Sequence, residues 1–488
     1  MAGWIILGIV GLFCVITAIR AAFFTPPKRG ESEALPPENV DAGRAAQRLS
    51  EAIRIQTISY PDVEKVDWEE FRRFHAFLEQ SYPLIHKTLK CEVIGEANLL
   101  YRWEGKNPDL PGVGLLSHQD VVPVSEGTEQ DWEHPPFDGY NDGEFIWGRG
   151  AMDMKNHLIC VMEAVESLIA EGFRPERDVY LLFGQDEEVV GAANAGAKQL
   201  CRALRERGVR LDSTLDEGGA MLPLHFKKII NATVAGIGIS EKGYIDFEIS
   251  VKRKGGHSSQ PPNHSGLGEL AEVIRALERH QFKAKMLPFL RDVLDNAGRR
   301  LPYYLRLVTC NIQFLRPVIL AVMKRIPPAA SLIRTTTAVT QAQGSPAANV
   351  LPQNASIVAN FRMMPGTKSD DVMRHIKKVS PVKDIEVEIL KFNEASVLSP
   401  TEGRSYDCIR RLVETEHADA MVVPFLVMGG TDSHFYGPVC DNMYRFSPFL
   451  APVEFLFCTH ATNERIPVES LGEAVGFFKR YVRAQAKD

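Results

Sequence analysis

The chain has 488 residues, 45% of them hydrophobic and 24% charged, with a net charge of −6. That supports two domains or one large interrupted one, and it excludes extended disorder beyond the N-terminal region. No long basic block occurs, so no nucleic acid is expected as a partner.

The first residues, MAGWIILGIVGLFCVITAIRAAFF, carry no charge from Gly3 to Ile19. This run is slightly short for a comfortable membrane span and long for the apolar part of a signal peptide. Arg20, Lys28 and Arg29 follow it, which under the positive-inside rule argues against a simple secretory signal. A buried core helix is the competing reading, but no polar residue alternates with the apolar ones. Residues 1–24 are expected to form a membrane anchor or uncleaved signal, with residues 25–44 as a linker. The expected location is the secretory pathway, anchored or secreted, with the catalytic domain lumenal or extracellular. N-x-S/T triplets at Asn231, Asn263 and Asn354 fit a glycoprotein, although a chain this long carries such triplets by chance.

Residues 45–238 alternate strand and helix patterns, expected as the first part of a catalytic domain. VGLLS and VYLLF read as buried strands, and LICVMEAVESLIAEG as a helix ended by glycine. Such alternation predicts a mostly parallel sheet covered on both faces. Residues 239–396 change character: period-two strands, such as GYIDFEISV and ASIVANFRM, alternate with helices, such as SDDVMRHIKKV. This predicts an α+β sandwich, a small lid domain. Within it, residues 281–333 are rich in Leu, Phe, Tyr and Pro and read as inserted amphipathic helices. The α/β pattern returns over 397–488. None of the eight cysteines forms a C-x-x-C pair, which disfavours a cysteine-based zinc or redox motif.

Acids and histidines recur where the apolar runs end. His118 and Asp120 follow VGLLS as SHQD, Asp153 sits in GRGAMDMKN, and Asp186, Glu187 and Glu188 follow VYLLFGQ as DEE. Asp216 lies in TLDEGG, and His460 follows EFLFC. In open α/β sheets, ligands bind beyond the carboxyl ends of the strands. A lone acid there is most often an N-cap or a solvated loop residue. Five such coincidences in one interrupted α/β chain point instead to metal. Suppose Asp153 bridges two zinc ions, with His118 and Asp216 on one, Glu188 and His460 on the other. Each zinc then has three protein ligands and an open position. Two dications, three carboxylates and a hydroxide sum to zero, which makes the crowding at 186–188 tolerable. Glu187 is left to move a proton from water to a leaving nitrogen, and Asp120 to hold the His118 imidazole.

In this order, SHQD, GRGAMDMKN, the DEE triplet, LDEGG and the C-terminal histidine resemble the two-zinc aminoacylase and carboxypeptidase family, over about residues 45–480. SHQDVVPV, WEHPPFDG, GGHSSQPP and YRFSP fit its branch acting on N-fatty-acyl amino acids and on peptide C-termini. The resemblance implies a zinc-peptidase-like α/β catalytic domain with a mostly parallel mixed sheet, interrupted by a lid that mediates dimerisation. It implies His118, Asp153, Glu188, Asp216 and His460 as metal ligands, Glu187 as general base and Asp120 as the residue orienting His118. It further implies that His257 of GGHSS stabilises the oxyanion, often across a homodimer. Asn349 and Arg362 would hold the substrate carboxylate, for which a guanidinium is a natural bidentate clamp. His257 also reads as an ordinary turn histidine beside two glycines. His434 of GTDSHFY is a candidate substrate contact. The VVGAANAG segment after DEE departs from the family's small hydroxyl and glycine residues.

The expected activity is zinc-dependent hydrolysis, with reverse condensation, of N-acyl amino acids carrying a fatty chain. The apolar insert motivates the chain, since burial gains about 0.8 kcal/mol per CH₂. Packing of the lid or of a dimer interface explains the insert equally well. The alternative is a carboxypeptidase S-like exopeptidase using the same site. A catalytically inert scaffold is disfavoured, because every ligand and the base are present.

Overall fold

The computed structural model describes residues 2–26, 38–189, 191, 195–226, 230–450 and 452–487. The expected linker falls mostly on residues 27–37, outside the described ones, as does part of VVGAANAG. Residues Ala2–Phe23 form helix α1. Among the described residues no single helix is long and apolar enough to cross a membrane.

Seven strands of the large sheet come before the lid: β1 (Lys90–Ile94), β2 (Asn98–Trp103), β3 (Gly112–His118), β4 (Val179–Gly184), β5 (Leu211–Asp216), β6 (Ala220–Phe226) and β7 (Ile230–Glu241). Helix α2 (Lys155–Ala170) lies between β3 and β4 in the chain. The lid contributes β8 (Gly243–Lys252), β9 (Gly256–His257), β10 (Thr336–Gln343), β11 (Val350–Leu351), β12 (Asn354–Met363) and β13 (Glu386–Asn393). The chain then returns through β14 (Met421–Val427) and β15 (Met443–Arg445).

The large sheet has nine strands in the order β1-β2-β4-β3-β5-β15-β7-β14, with β6 paired to β7. It is mixed, and its centre is parallel: β4, β3, β5 and β15 run the same way. Every residue of β3 and β4 is buried, as the unbroken apolar runs require of strands covered on both faces. Parallel central strands send their carboxyl ends to one edge, so His118, Gly184 and Asp216 finish together. Helix α2 is buried along nearly its whole length, which explains why LICVMEAVESL lacks a clean polar face.

The lid is a four-stranded antiparallel sheet, β10-β12-β8-β13. Its longer helices are α3 (Gly266–Arg279), α4 (Pro288–Arg300), α5 (Tyr303–Thr309), α6 (Ile312–Met323) and α7 (Ser369–Val379). Alternation along β8 buries Ile245, Phe247, Ile249 and Val251 against α3 and α7, through Leu270, Val273, Val372 and Ile376. The large sheet's β7 runs through Glu241, and the first lid strand begins at Gly243, a few residues beyond the change of pattern at 239. The insert does not stay with the lid sandwich. Phe289 and Leu290 of α4 are buried in the main core, and α4 packs on the edge strand β14.

Candidate metal centre and active site

The strand ends build the site. His118 is the last residue of β3 and is 1% exposed. Its Nδ1 lies 3.0 Å from the Asp120 backbone carbonyl and 3.3 Å from Asp120 Oδ1. Its Nε2 faces the cavity, 3.0 Å from Asp153 Oδ1 and 3.3 Å from Glu217 Oε1. The second oxygen of Asp153 lies 3.0 Å from His460 Nε2, and that same nitrogen lies 3.0 Å from Glu188 Oε1. One carboxylate thus joins two histidines that are 342 positions apart in sequence, by the difference of 460 and 118.

Each of these groups is held from behind. Asp120, fully buried, accepts the backbone N–H of Glu187 and of Glu188, each at 3.2 Å, and the Ser59 hydroxyl at 2.5 Å. It therefore fixes both the imidazole and the loop bearing the two glutamates. The Asp153 loop is fixed by Glu464, which accepts N–H groups from Gly150, Met152 and Asp153 and pairs with Arg149 at 2.6 Å. His460 holds φ +63°, a left-handed conformation that costs a residue with a Cβ about 1–2 kcal/mol. Gly184 permits close approach: a Cβ there would sit 2.2 Å from Asp432 Oδ2.

The charges explain what the cluster is suited to hold. Burial, and then the neighbouring Glu217 and Glu188, push the Glu187 carboxyl well above its ordinary range, against the pull of His118. Burial and Asp153 raise Glu217 to about 8. Burial opposes charge on His118, but its hydrogen bonds to the Asp120, Asp153 and Glu217 carboxylates raise it well above the ordinary imidazole value. Asp153 and Glu188 raise His460 to about 10. Four carboxylates against two imidazoles is a set of nitrogen and oxygen donors that a divalent cation relieves and that zinc accepts. Donor atoms of His118, Asp153 and Glu188 all lie within 4.8 Å of one another, as do those of His118, Glu187 and Glu217.

Asp216, expected beside His118, is not the residue placed there. It is 1% exposed, its Oδ1 accepts the Glu217 N–H at 2.9 Å, and its Oδ2 is buried without a hydrogen-bond partner. Burial raises it to about 6. It is the last residue of β5, in register with Arg445 of β15. Successive residues at a strand end point to opposite sides, so the next residue, Glu217, is the one that reaches the histidine.

The remaining expected residues divide between two places. A cleft of about 380 Å³ is lined by Glu187, Glu188, Arg362, His434 and His460, together with Lys242. The Arg362 guanidinium stacks 4.6 Å from the Tyr244 ring. Lys242 donates to the Ser331 and Arg334 carbonyls, at 2.9 and 3.1 Å, and burial followed by Arg362 lowers it to about 8. His257 and Asn349 lie elsewhere, exposed together on the β9–β11 ribbon, where the Ser258 N–H donates to the Asn349 carbonyl at 3.0 Å. They do not line this cleft, and neither does any residue of 281–333. Sequence reasoning missed Glu217, Glu464 and Glu241. Glu217 stood in the quoted LDEGG, but nothing in a strand pattern distinguishes a working acid from its neighbour.

Glu241 forms the cleft's floor support. Arg445, fully buried, donates to it through Nε at 2.6 Å, and the Thr431 hydroxyl donates at 2.7 Å. Burial alone would raise this carboxyl, but Arg445, then His434 and Thr431, bring it down to about 2 from 4.5. A depressed carboxyl contributes stability that is present above 4.5 and is lost as pH falls through about 2. The shift corresponds to about 3 kcal/mol. Glu241→Gln is expected to flatten the loss of stability between those pH values, and to lower stability at pH 7 by about 3–5 kcal/mol because Arg445 is left buried and unpaired. Denaturant unfolding across pH checks both.

A family model described as Peptidase family M20/M25/M40 matches residues 114–484. A Dictyostelium discoideum protein named probable carboxypeptidase S-like 2 is 34% identical, over 99% of this chain and 93% of its own length. The Xenopus tropicalis N-fatty-acyl-amino acid synthase/hydrolase PM20D1 is 28% identical, over 98% of this chain and 94% of its own. Carboxypeptidase S of Saccharomyces cerevisiae is 31% identical, over 89% of this chain and 83% of its own. Among solved structures, the M20 family metallo-carboxypeptidase Sso-CP2 from Sulfolobus solfataricus superposes with a TM-score of 0.66 at 18% identity, covering 91% of this chain and 99% of that one. Human carnosine dipeptidase 1 gives 0.60 at 15% identity, covering 91% and 96%.

Proposed function

We propose a reaction from one premise: the chain belongs to the peptidase M20/M25/M40 family and is a metal-dependent hydrolase of amide or peptide bonds. The substrate is an N-acyl amino acid with a free carboxylate, and the acyl group is a long alkyl chain. One observation carries this choice. The Asp153–Glu217 side of the cluster opens not on the polar cleft but on a second cavity of about 310 Å³, lined by Met152, Met221, Leu222, Phe425 and Phe449. The polar cleft offers Arg362 to a carboxylate, and the second cavity offers apolar walls to a chain.

The donor set suits two zinc ions, Asp153 shared, with His118 and Glu217 on one side and Glu188 and His460 on the other. Bound there, they would supply Lewis acidity toward the amide carbonyl and acidify water. The chain's own residues do the rest. Arg362 seats the carboxylate, and Asp120 keeps His118 and the glutamate loop in place. Glu187, whose buried carboxyl holds a proton readily, takes one from the attacking water and delivers it to the leaving nitrogen. His257 and Asn349 reach the site from the lid of a second copy, since their ribbon is exposed and outside the cleft of its own chain. Membrane anchoring through α1 and glycosylation at Asn263 and Asn354, both exposed, belong to the same reading. The Asn231 side chain lies outside the described ones.

Exopeptidase action on short peptides is the second reading, favoured by the charged lining of the cleft, where Glu394 and Asp186 could receive a peptide ammonium. A panel of N-palmitoyl, N-acetyl and dipeptide substrates on metal-loaded protein separates the two. Phe425→Asp is expected to lower kcat/KM for the palmitoyl substrate by about tenfold or more and to spare the acetyl one. Equal losses on both, or faster turnover of the dipeptide, overturn the fatty-acyl assignment. His257→Ala is expected to lower kcat by about 10²-fold with metal content unchanged, as loss of one oxyanion donor does. An unchanged kcat removes His257 from the reaction.

A further inference from the structure

The insert turns an unusual face outward. Helices α4 and α6 pack inward through Phe289, Leu290 and Ile312. On the opposite side of α6, Phe314, Val318 and Val322 stand four residues apart on one stripe, 60, 58 and 51% exposed. Tyr304 of α5 is 61% exposed beside them in sequence. Nothing within the described chain covers this stripe except α1, which joins it along one edge: the rings of Phe13 and Phe314 meet edge to face at 5.9 Å, the Tyr303 hydroxyl donates to the Ala18 carbonyl at 3.1 Å, and Arg20 donates to the Cys310 carbonyl at 2.9 Å. Helix α1 presents Leu12, Ile16 and Ile19 outward in its turn. Three helices therefore make one apolar surface, of a kind that marks a docking site.

Charge names the occupant. From Asn296 to Ile333 the chain carries six basic residues and no Asp or Glu, in a protein whose net charge is −6. Arg299 pairs with Asp295, Arg300 and Arg306 donate to backbone carbonyls, and Arg316 lines a cavity with Ile312, Asp292 and Asp295, which leaves Lys324 and Arg325 exposed at the outer end of α6. A second copy would bring the same cations to the same face and be repelled. An anionic surface with an apolar interior meets both features. Helices α5 and α6 are bent by 98° at their junction, so they lie along such a surface and do not form one straight span.

We infer that α5 and α6 form a monotopic docking surface for an anionic phospholipid bilayer, continuous with α1, which fastens the lid insert as well as the N-terminus to the membrane. The phosphates meet Lys324 and Arg325, and the apolar stripe of α6 enters the acyl region. This inference concerns binding alone, so it is read apart from the reaction proposed above. It also places the enzyme where an N-fatty-acyl amino acid would partition.

The test uses the full chain with phosphatidylcholine vesicles, with and without phosphatidylserine, whose acyl chains carry bromine. Val318→Trp adds an indole on the stripe, and Val93→Trp adds one on β1, where Val93 is exposed. A circular dichroism spectrum and unfolding midpoint matching those of the parent chain show that each variant is folded. The added emission at position 318, and not that at 93, is expected to be quenched by the brominated lipid. The double neutralisation Lys324→Gln, Arg325→Gln is expected to weaken binding to phosphatidylserine vesicles roughly 25-fold, since each cation near such a surface is worth about fivefold. Unquenched emission at 318 while α1 still holds the chain on the vesicle overturns the inference. So does lipid-free self-association that Val318→Glu abolishes, which gives the face to a second copy.

Discussion

Glu187→Gln lowers kcat by about 10³-fold and leaves the metal content of the protein unchanged, the loss expected when a general base is removed. The expectation follows from where the carboxyl sits. Glu187 Oε2 is 4.0 Å from His118 Nε2, farther than the Asp153 and Glu217 oxygens at 3.0 and 3.3 Å. It lines the polar cleft, so it meets both solvent and substrate. Burial and the carboxylates of Glu217 and Glu188 hold its proton affinity far above that of a free glutamate. A divalent cation lowers that affinity when it binds, so the group is poised between taking and giving a proton. The amide of glutamine keeps the size and removes the titration. Metal analysis and pre-steady-state turnover on the same sample separate a lost base from a lost site. A fall in bound metal parallel to the fall in rate would make Glu187 a ligand, as its place in the His118–Glu187–Glu217 group allows.

The sequence announced this centre because its parts lie at strand ends. Apolar runs such as VGLLS and VYLLF identify buried parallel strands, and a sheet of that kind gathers its carboxyl ends into one crevice. What periodicity could not supply was direction at the ends themselves. Asp216 and Glu217 are adjacent acids, and only the register of β5 against β15 decides which one faces His118. Glu464 was invisible for another reason: it acts on backbone N–H groups of the 150–153 loop, and a hydrogen bond to backbone leaves no side-chain signature in the partner. The insert was legible as amphipathic helices, but the surface that α4 covers is a strand more than 100 residues further along the chain, the β14 edge.

Glu217→Gln removes about one metal equivalent per chain and at least about 10³-fold of activity, whereas Asp216→Asn keeps both equivalents and costs about tenfold at most. The two residues share a peptide bond and a charge, so the pair isolates direction from chemistry. Glu217 Oε1 lies 3.3 Å from His118 Nε2, and burial with Asp153 beside it holds its carboxyl at about 8. Such a group is costly to keep without a cation and takes one up in exchange for its proton. Asp216 is also buried and raised, to about 6, but the charge that opposes this most is the Arg445 guanidinium from the paired strand, and one of its oxygens already accepts the Glu217 N–H. An asparagine there keeps an acceptor for that N–H and removes only a carboxylate that repels Glu217 and Asp432. Its thermal stability is therefore expected to hold or rise, while Glu217→Gln loses the stabilisation that metal binding adds. If Asp216→Asn strips the metal and Glu217→Gln retains it, the strand end is turned the other way and the assignment of Glu217 falls.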